Sequence, residues 1–231
     1  MAKILVVLTG ADHWTLADGS KHPTGYWAEE LVAPYRILTA AGHGITIATP
    51  GAVVPTVDAA SLTADSNGGQ AGADAVAAAL AAVDGLDHPV RLEDVKLDDY
   101  DAVFYPGGHG PMEDLAVNAD SGRLLTAALD SGKPLAVVCH APAALLAAQR
   151  PDGTSAFAGY RLTGFTNAEE TQAGFADRAK WLLQDRLTAL GAHFEEGEPW
   201  APHVVVDRNL HTGQNPASSG PLATELLKVL D

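Results

Sequence analysis

Short apolar runs alternate along this chain with longer segments whose apolar positions recur at helical spacing. Residues 4–8, 45–49, 102–105 and 135–138 are near-continuous apolar runs closed by turn residues, the pattern of strands buried on both faces of a parallel sheet. Between them the spacing predicts a helix ending at Ala41-Gly42, one around 71–83, one around 121–129 and one over 141–148. Gly42, Gly85, Gly132 and Gly191 stand where a helix end needs a left-handed residue. The second half continues with an extended 160–163, a helix through 181–190, an extended 204–206 and a last helix that starts at Asn215-Pro216, a cap followed by proline at the first helical position. Repeated β-α-β units predict an α/β fold, a doubly wound and mostly parallel sheet with helices on both faces, a flavodoxin-like sandwich. One domain over 1–231 is expected, with an Ala-, Gly- and Asp-rich insertion around 51–90 placed to cover a site.

Composition narrows the functional classes. A hydrophobic fraction of 47% with 19% charged residues is globular. The formal charge of −15, from 14 basic and 29 acidic side chains, repels phosphate backbones and anionic membranes, so neither nucleic acid nor membrane is an expected partner. The apolar start at 3–8 is too short for a membrane span and no export signal precedes it, so a cytoplasmic location is expected. One cysteine, Cys139, excludes an intramolecular disulfide and a cysteine metal cluster.

That cysteine sits in Leu135-Ala136-Val137-Val138-Cys139-His140-Ala141-Pro142, where a strand turns into a helix with room only for a tight elbow. Such a turn lifts its central side chain above the C-terminal edge of the sheet, where open α/β sheets bind ligands. The helix N-terminus is expected to lower the thiol pKa. A lone intracellular cysteine is more commonly a buried small hydrophobe; its place at the turn, followed by histidine, argues for a nucleophile. A second turn, Pro106-Gly107-Gly108-His109-Gly110, follows an apolar strand but fits neither the Rossmann nor the P-loop spacing. It is either an oxyanion hole beside the cysteine or simply a tight turn. Glutamate pairs occur at Glu29-Glu30 and Glu169-Glu170. Thr166 with Glu169, or Asn167 with Glu170, would form a capping box, and periodicity does not choose between them. His13, His22, His43, His88, His193, His203 and His211 show no helix-spaced pair, so no metal is expected and they are taken as scattered surface residues.

Taken in order, these pieces resemble the ThiJ/PfpI superfamily, whose fold is related to class I glutamine amidotransferases. The resemblance is strongest to its branch of glutathione-independent glyoxalases (glyoxalase III) and small stress chaperones. It is carried by the segment Gly25 to Glu30, Gly107-Gly108-His109-Gly110, Val137-Val138-Cys139-His140-Ala141-Pro142, Gly164-Phe165-Thr166 with Glu170-Thr171, and Pro199-Trp200 with Thr212-Gly213 and Asn215-Pro216-Ala217-Ser218. The resemblance implies Cys139 as nucleophile, His140 and Glu170 as its partners, Glu30 as the carboxyl touching the thiol, and the amides of Gly108 and His140 as oxyanion donors. One position departs: Ala141 stands where the family usually has glycine. The implied activity is cofactor-independent conversion of methylglyoxal and similar α-oxoaldehydes to 2-hydroxy acids such as lactate, in a homodimer serving stress defence. Trp14, Trp27, His109 and Trp200 are the expected pocket walls. Alternatives using the same Cys-His-Glu set are a protein deglycase, a holdase-type chaperone, and a cysteine peptidase or amidase.

Overall fold

A computed structural model describes residues 1–230. Seven strands form the central sheet: β1 (Lys3–Val7), β4 (Gly44–Thr49), β5 (Val90–Arg91), β6 (Ala102–Tyr105), β7 (Leu135–Val138), β10 (Val204–Asp207) and β11 (Leu210–Gly213). Their order is β10-β11-β7-β6-β1-β4-β5, parallel throughout except for β10 against β11. β6 and β7 are wholly buried and β1 is buried beyond Lys3, as expected for strands covered on both faces. The four strands predicted in the first half all form. The short edge strand β5 and the central β11 did not stand out in the apolar pattern; β11, Leu-His-Thr-Gly, carries two polar residues that the fold buries.

The helices are α1 (Ala28–Ala40), α2 (Gln70–Leu80), α3 (Gly110–Glu113), α4 (Ala119–Ser131), α5 (Asn167–Gln172), α6 (Leu183–Ala189) and α7 (Ser219–Leu227). α4 begins where the Asn118 side chain accepts from Ser121 N–H (2.8 Å) and ends at Gly132, φ 72°, a left-handed stop that glycine adopts without a Cβ clash. Two small sheets lie outside the main one: the hairpin of β2 (His13–Thr15) and β3 (Lys21–Pro23), and the parallel pair β8 (Arg161–Leu162) with β9 (His193–Phe194). The extended segment near 160–163 therefore forms a satellite pair and does not join the central sheet. The segment after Cys139 departs from expectation too: Ala141–Ala147 is a 3-10 helix with Pro142 in its first turn.

The chain leaves β1 toward β4 on one side and returns to β6 on the other. This reversal opens a crevice at the C-terminal ends of β1, β6 and β7, the usual ligand position in such sheets. Among the described residues no helix is long and apolar enough to cross a membrane.

Candidate active site

Cys139 follows β7 directly and has φ 59°, a left-handed conformation that costs a non-glycine residue about 1–2 kcal/mol and is held only where surroundings impose it. Here Cys139 N–H donates to Gly213 O (2.9 Å) and Cys139 O accepts from Phe165 N–H (2.8 Å), so strands on one side and the 164–166 loop on the other lock the elbow. Ala141 is fully buried and lies past the strained position, in the 3-10 turn. The elbow's unusual φ is thus borne by the cysteine, and the methyl group at 141 is accommodated.

Close backbone packing brings the glycine turn to this elbow. Gly107 O accepts from Trp27 N–H (3.1 Å) and Gly25 O accepts from Gly110 N–H (3.1 Å). A Cβ at Gly108, φ 88°, would lie 2.4 Å from Gly25 O and 2.7 Å from Trp27 N; one at Gly107 would lie 2.8 Å from both Glu30 Oε2 and His140 N. Only glycines allow this lacing, and it sets Glu30, in the first turn of α1, against the thiol.

Glu30 is fully buried; its Oε2 accepts from Gly107 N–H (2.7 Å), and its Oε1 is buried without a partner. Burial pushes its carboxyl up to about 8, against the opposing pull of the Cys139 thiol and the Gly107 N–H. The thiol is pushed up as well, by burial and then by the charge and hydrogen bond of Glu30, with only the Gly108 N–H drawing it down. This corrects the expectation of a thiol lowered by a helix N-terminus. A seven-residue 3-10 helix behind a buried sulfur is outweighed by desolvation and a carboxyl in contact. With Glu30 pushed up to about 8 and the thiol pushed up as well, both groups hold their protons at neutral pH.

His140 Nδ1 lies 3.3 Å from Cys139 Sγ, and its Nε2 lies 2.7 Å from Glu170 Oε2. His109 Nε2 is 2.9 Å from the other oxygen, Oε1. Burial works against ionisation of Glu170, yet the two histidines hold its carboxyl well below the usual carboxylate range. An ionised Glu170 accepts, so both Nε2 atoms carry the proton, and His140 turns its Nδ1 to the thiol. Burial, reinforced by His140, lowers His109 and keeps it a neutral donor. His109, His140 and Glu170 also place ligand atoms within 4.8 Å of one another, a span that could hold a metal ion. They come from three separate segments, so no sequence spacing reveals the trio, and the two N–H···O bonds already satisfy its polar atoms.

Glu169, one residue away, has a different task. Its Oε2 accepts from Thr166 N–H (3.0 Å) and Thr166 Oγ1 (2.9 Å), and its Oε1 accepts from Trp200 N–H and Asn215 Nδ2 (both 2.8 Å). Thr166 with Glu169 is the capping box of α5, and Asn167 with Glu170 is not. The same carboxylate also ties down Trp200, which is 46% exposed with φ 64°.

Cys139, His140, His109 and Gly108 line a cavity of about 220 Å³, whereas Glu30, Glu169 and Glu170 are not on its wall. Trp27, His109 and Trp200 are on its wall, as expected. Trp14 is not: it is buried behind His109, stacked on that ring at 4.6 Å. Sequence reasoning missed His22, Asp58, Phe165 and Phe175, which also line the cavity. His22 reaches it from the β2–β3 hairpin, and His43 and His211 are buried, so these three are not the surface residues expected. Asp58 and Ala60 bring the insertion to the cavity, anchored by Tyr26 N–H to Thr56 O (2.9 Å) and Thr24 Oγ1 to Asp58 Oδ2 (2.6 Å).

Comparison with known proteins finds relatives in sequence and in fold. The chain is 27% identical over 239 residues to the protein/nucleic acid deglycase HchA of Staphylococcus aureus, covering 95% of this chain and 77% of that one. A shorter match, 38% identical over 140 residues, is to the human glutamine amidotransferase-like class 1 domain-containing protein 1; it covers 60% of this chain and only 63% of that relative. The crystal structure of glyoxalase III from Candida albicans superimposes with a TM-score of 0.82 at 26% identity, covering 98% of this chain and 96% of that one. Residues 24–229 match the DJ-1/PfpI family over most of the chain, and the protein belongs to that family.

Proposed function

We propose that this protein is a glutathione-independent glyoxalase that converts methylglyoxal and related α-oxoaldehydes to 2-hydroxy acids through Cys139. The observation that carries the reading is the fully buried Glu30 carboxyl, held by the Gly107 N–H at 2.7 Å beside the cysteine elbow and pushed up to about 8. An isomerisation of adjacent carbons needs one group that can give, take and give back a proton near neutral pH.

At rest both groups are protonated; the thiol proton passes to His140 Nδ1, 3.3 Å away, and on to solvent, leaving the thiolate beside a protonated Glu30. Sulfur adds to the aldehyde carbon C1 while Glu30 gives its proton to the C1 oxygen, forming a hemithioacetal. Now ionised, Glu30 removes the C1 hydrogen, and the electron pair moves onto the C2 oxygen as an enediolate. The Gly108 N–H, which already reaches the thiol, and the His140 N–H are the donors assigned to stabilise that charge. Glu30 returns the proton to C2, the C1 carbonyl re-forms, and the hydroxyl proton moves from the C1 to the C2 oxygen. The product is a thioester of the 2-hydroxy acid. Water activated by His140, whose imidazolium Glu170 stabilises, releases the acid and the thiolate. Of the two protons freed, one returns to Glu30 and one to the sulfur; with the thiol proton given up at the start, the net reaction consumes one water, releases one proton and needs no redox partner.

The 220 Å³ cavity supports a small carbonyl substrate over an extended peptide. Removal of α-oxoaldehyde adducts from amines is the second reading, favoured by the likeness to HchA; it uses the same attack on carbon. The deciding experiment measures lactate formed from methylglyoxal without glutathione, beside deglycation and peptide hydrolysis on one sample. Peptide hydrolysis without lactate formation would overturn the proposal.

A further inference from the structure

Glu29 and Glu30 are neighbours on α1, and helical geometry turns their side chains about 100° apart. Glu30 goes to the thiol, whereas Glu29 faces a groove of about 870 Å³ between α1, the insertion with α2, and the start of α7. The groove and the Cys139 cavity share Trp27, Trp200 and Pro216, so the two spaces meet at a pair of tryptophans. Glu29 is the one charged side chain lining the groove; Ala33, Ala75, Val76 and Pro221 supply apolar wall. It is half-buried, and burial pushes its carboxyl up while only Arg36 draws it down. Among the described residues it has no hydrogen-bond partner.

A half-buried carboxylate without a hydrogen-bond partner, set in apolar wall behind two indole rings, suits one kind of ligand. Methylenes pack on the wall, a cation passes over the aromatic faces, and the carboxylate neutralises it away from bulk solvent. We propose that this groove is a second binding subsite for a flexible aliphatic chain ending in a guanidinium or ammonium group. Consecutive Cα atoms about 3.8 Å apart, with diverging side chains, put the two carboxylates on the order of 10 Å apart. The matching substrates are therefore α-oxoaldehydes, or their amine adducts, that carry a cation roughly that far from the reacting carbon. The subsite rests on the carbonyl-directed reading only for the identity of the reacting end.

Calorimetric titration of the full chain with n-butylguanidinium and with its neutral isostere n-butylurea tests the subsite without any turnover. Net charge of −15 attracts cations to the whole surface, so variants localise the effect. Wild-type protein should bind butylguanidinium at least about tenfold tighter than butylurea, and Glu29→Gln should bring the two within about twofold. Ala75→Lys, at an exposed position of α2 on the opposite wall, should abolish the preference by supplying a competing ammonium. Equal binding of the two probes by the wild type, or a preference that survives both variants, overturns the proposal. Lactate formation, measured separately, tests the glyoxalase reading, so either can fail while the other stands.

Discussion

Replacing Glu30 with glutamine should make the protein more stable and nearly inactive at the same time. A carboxyl at 4.5 when unfolded and about 8 when folded keeps its full contribution to stability below about pH 4.5 and loses it as pH rises through 8. Between these values the unfolded chain ionises Glu30 while the folded protein holds it protonated. At 1.36 kcal/mol per pH unit, the loss is about 1 kcal/mol at pH 5, about 3 at pH 7 and about 4 at pH 8. These are upper values, because relaxation around a buried charge reduces them. Glutamine cannot ionise, so it removes this loss while its oxygen still accepts from Gly107 N–H. Urea denaturation at pH 5, 7 and 8 should show a stability gain over wild type that grows by about 2–3 kcal/mol across the range. Turnover of methylglyoxal should fall by about 10²–10⁴ because the proton shuttle is gone. A stability difference that does not change with pH would refute the argument, since Glu30 would then titrate as an ordinary carboxylate.

Cys139→Ala should remove lactate formation by at least about 10³ while circular dichroism shows an intact fold; substantial turnover would end the nucleophile assignment. Glu170→Gln should lower kcat by about a hundredfold or more, because the new NH₂ opposes an imidazole N–H and disturbs the tautomer of His140. Glu170 lies below the usual carboxylate range, so its stabilisation is present above about pH 4.5 and lost as pH falls, and the variant should flatten the acid side of the stability profile. Glu169→Gln should act on stability instead, by about 2–4 kcal/mol, since its four donors leave no place for an amide NH₂. Gly107→Ala should cost both activity and stability, because its Cβ would press on Glu30 Oε2 and His140 N at 2.8 Å; kinetics and melting curves check both.

What the sequence determined by itself was the frame of the sheet and the place of the chemistry. Runs such as Leu135–Val138 are apolar at every position, so they can only be strands covered on both faces. A turn residue directly after such a run must appear at the sheet's C-terminal edge, which placed Cys139 and the glycines at 107 and 108. Local pairing was half legible: Thr166 with Glu169 and Asn167 with Glu170 both have the spacing of a capping box, and only the fold shows that the first forms. Properties that depend on long-range packing were not. The sign of the thiol shift follows from burial and from Glu30, 109 positions away along the chain, and no local rule about helix N-termini contains that. Glu169 is more than a cap because Trp200 and Asn215 fold back onto it. His22 enters the cavity, and His109 joins His140 on one carboxylate, only because a hairpin and three sheet-edge segments converge there. Periodicity reports which face of an element is buried, whereas the value of a pKa or the wall of a cavity depends on which distant elements cover that face.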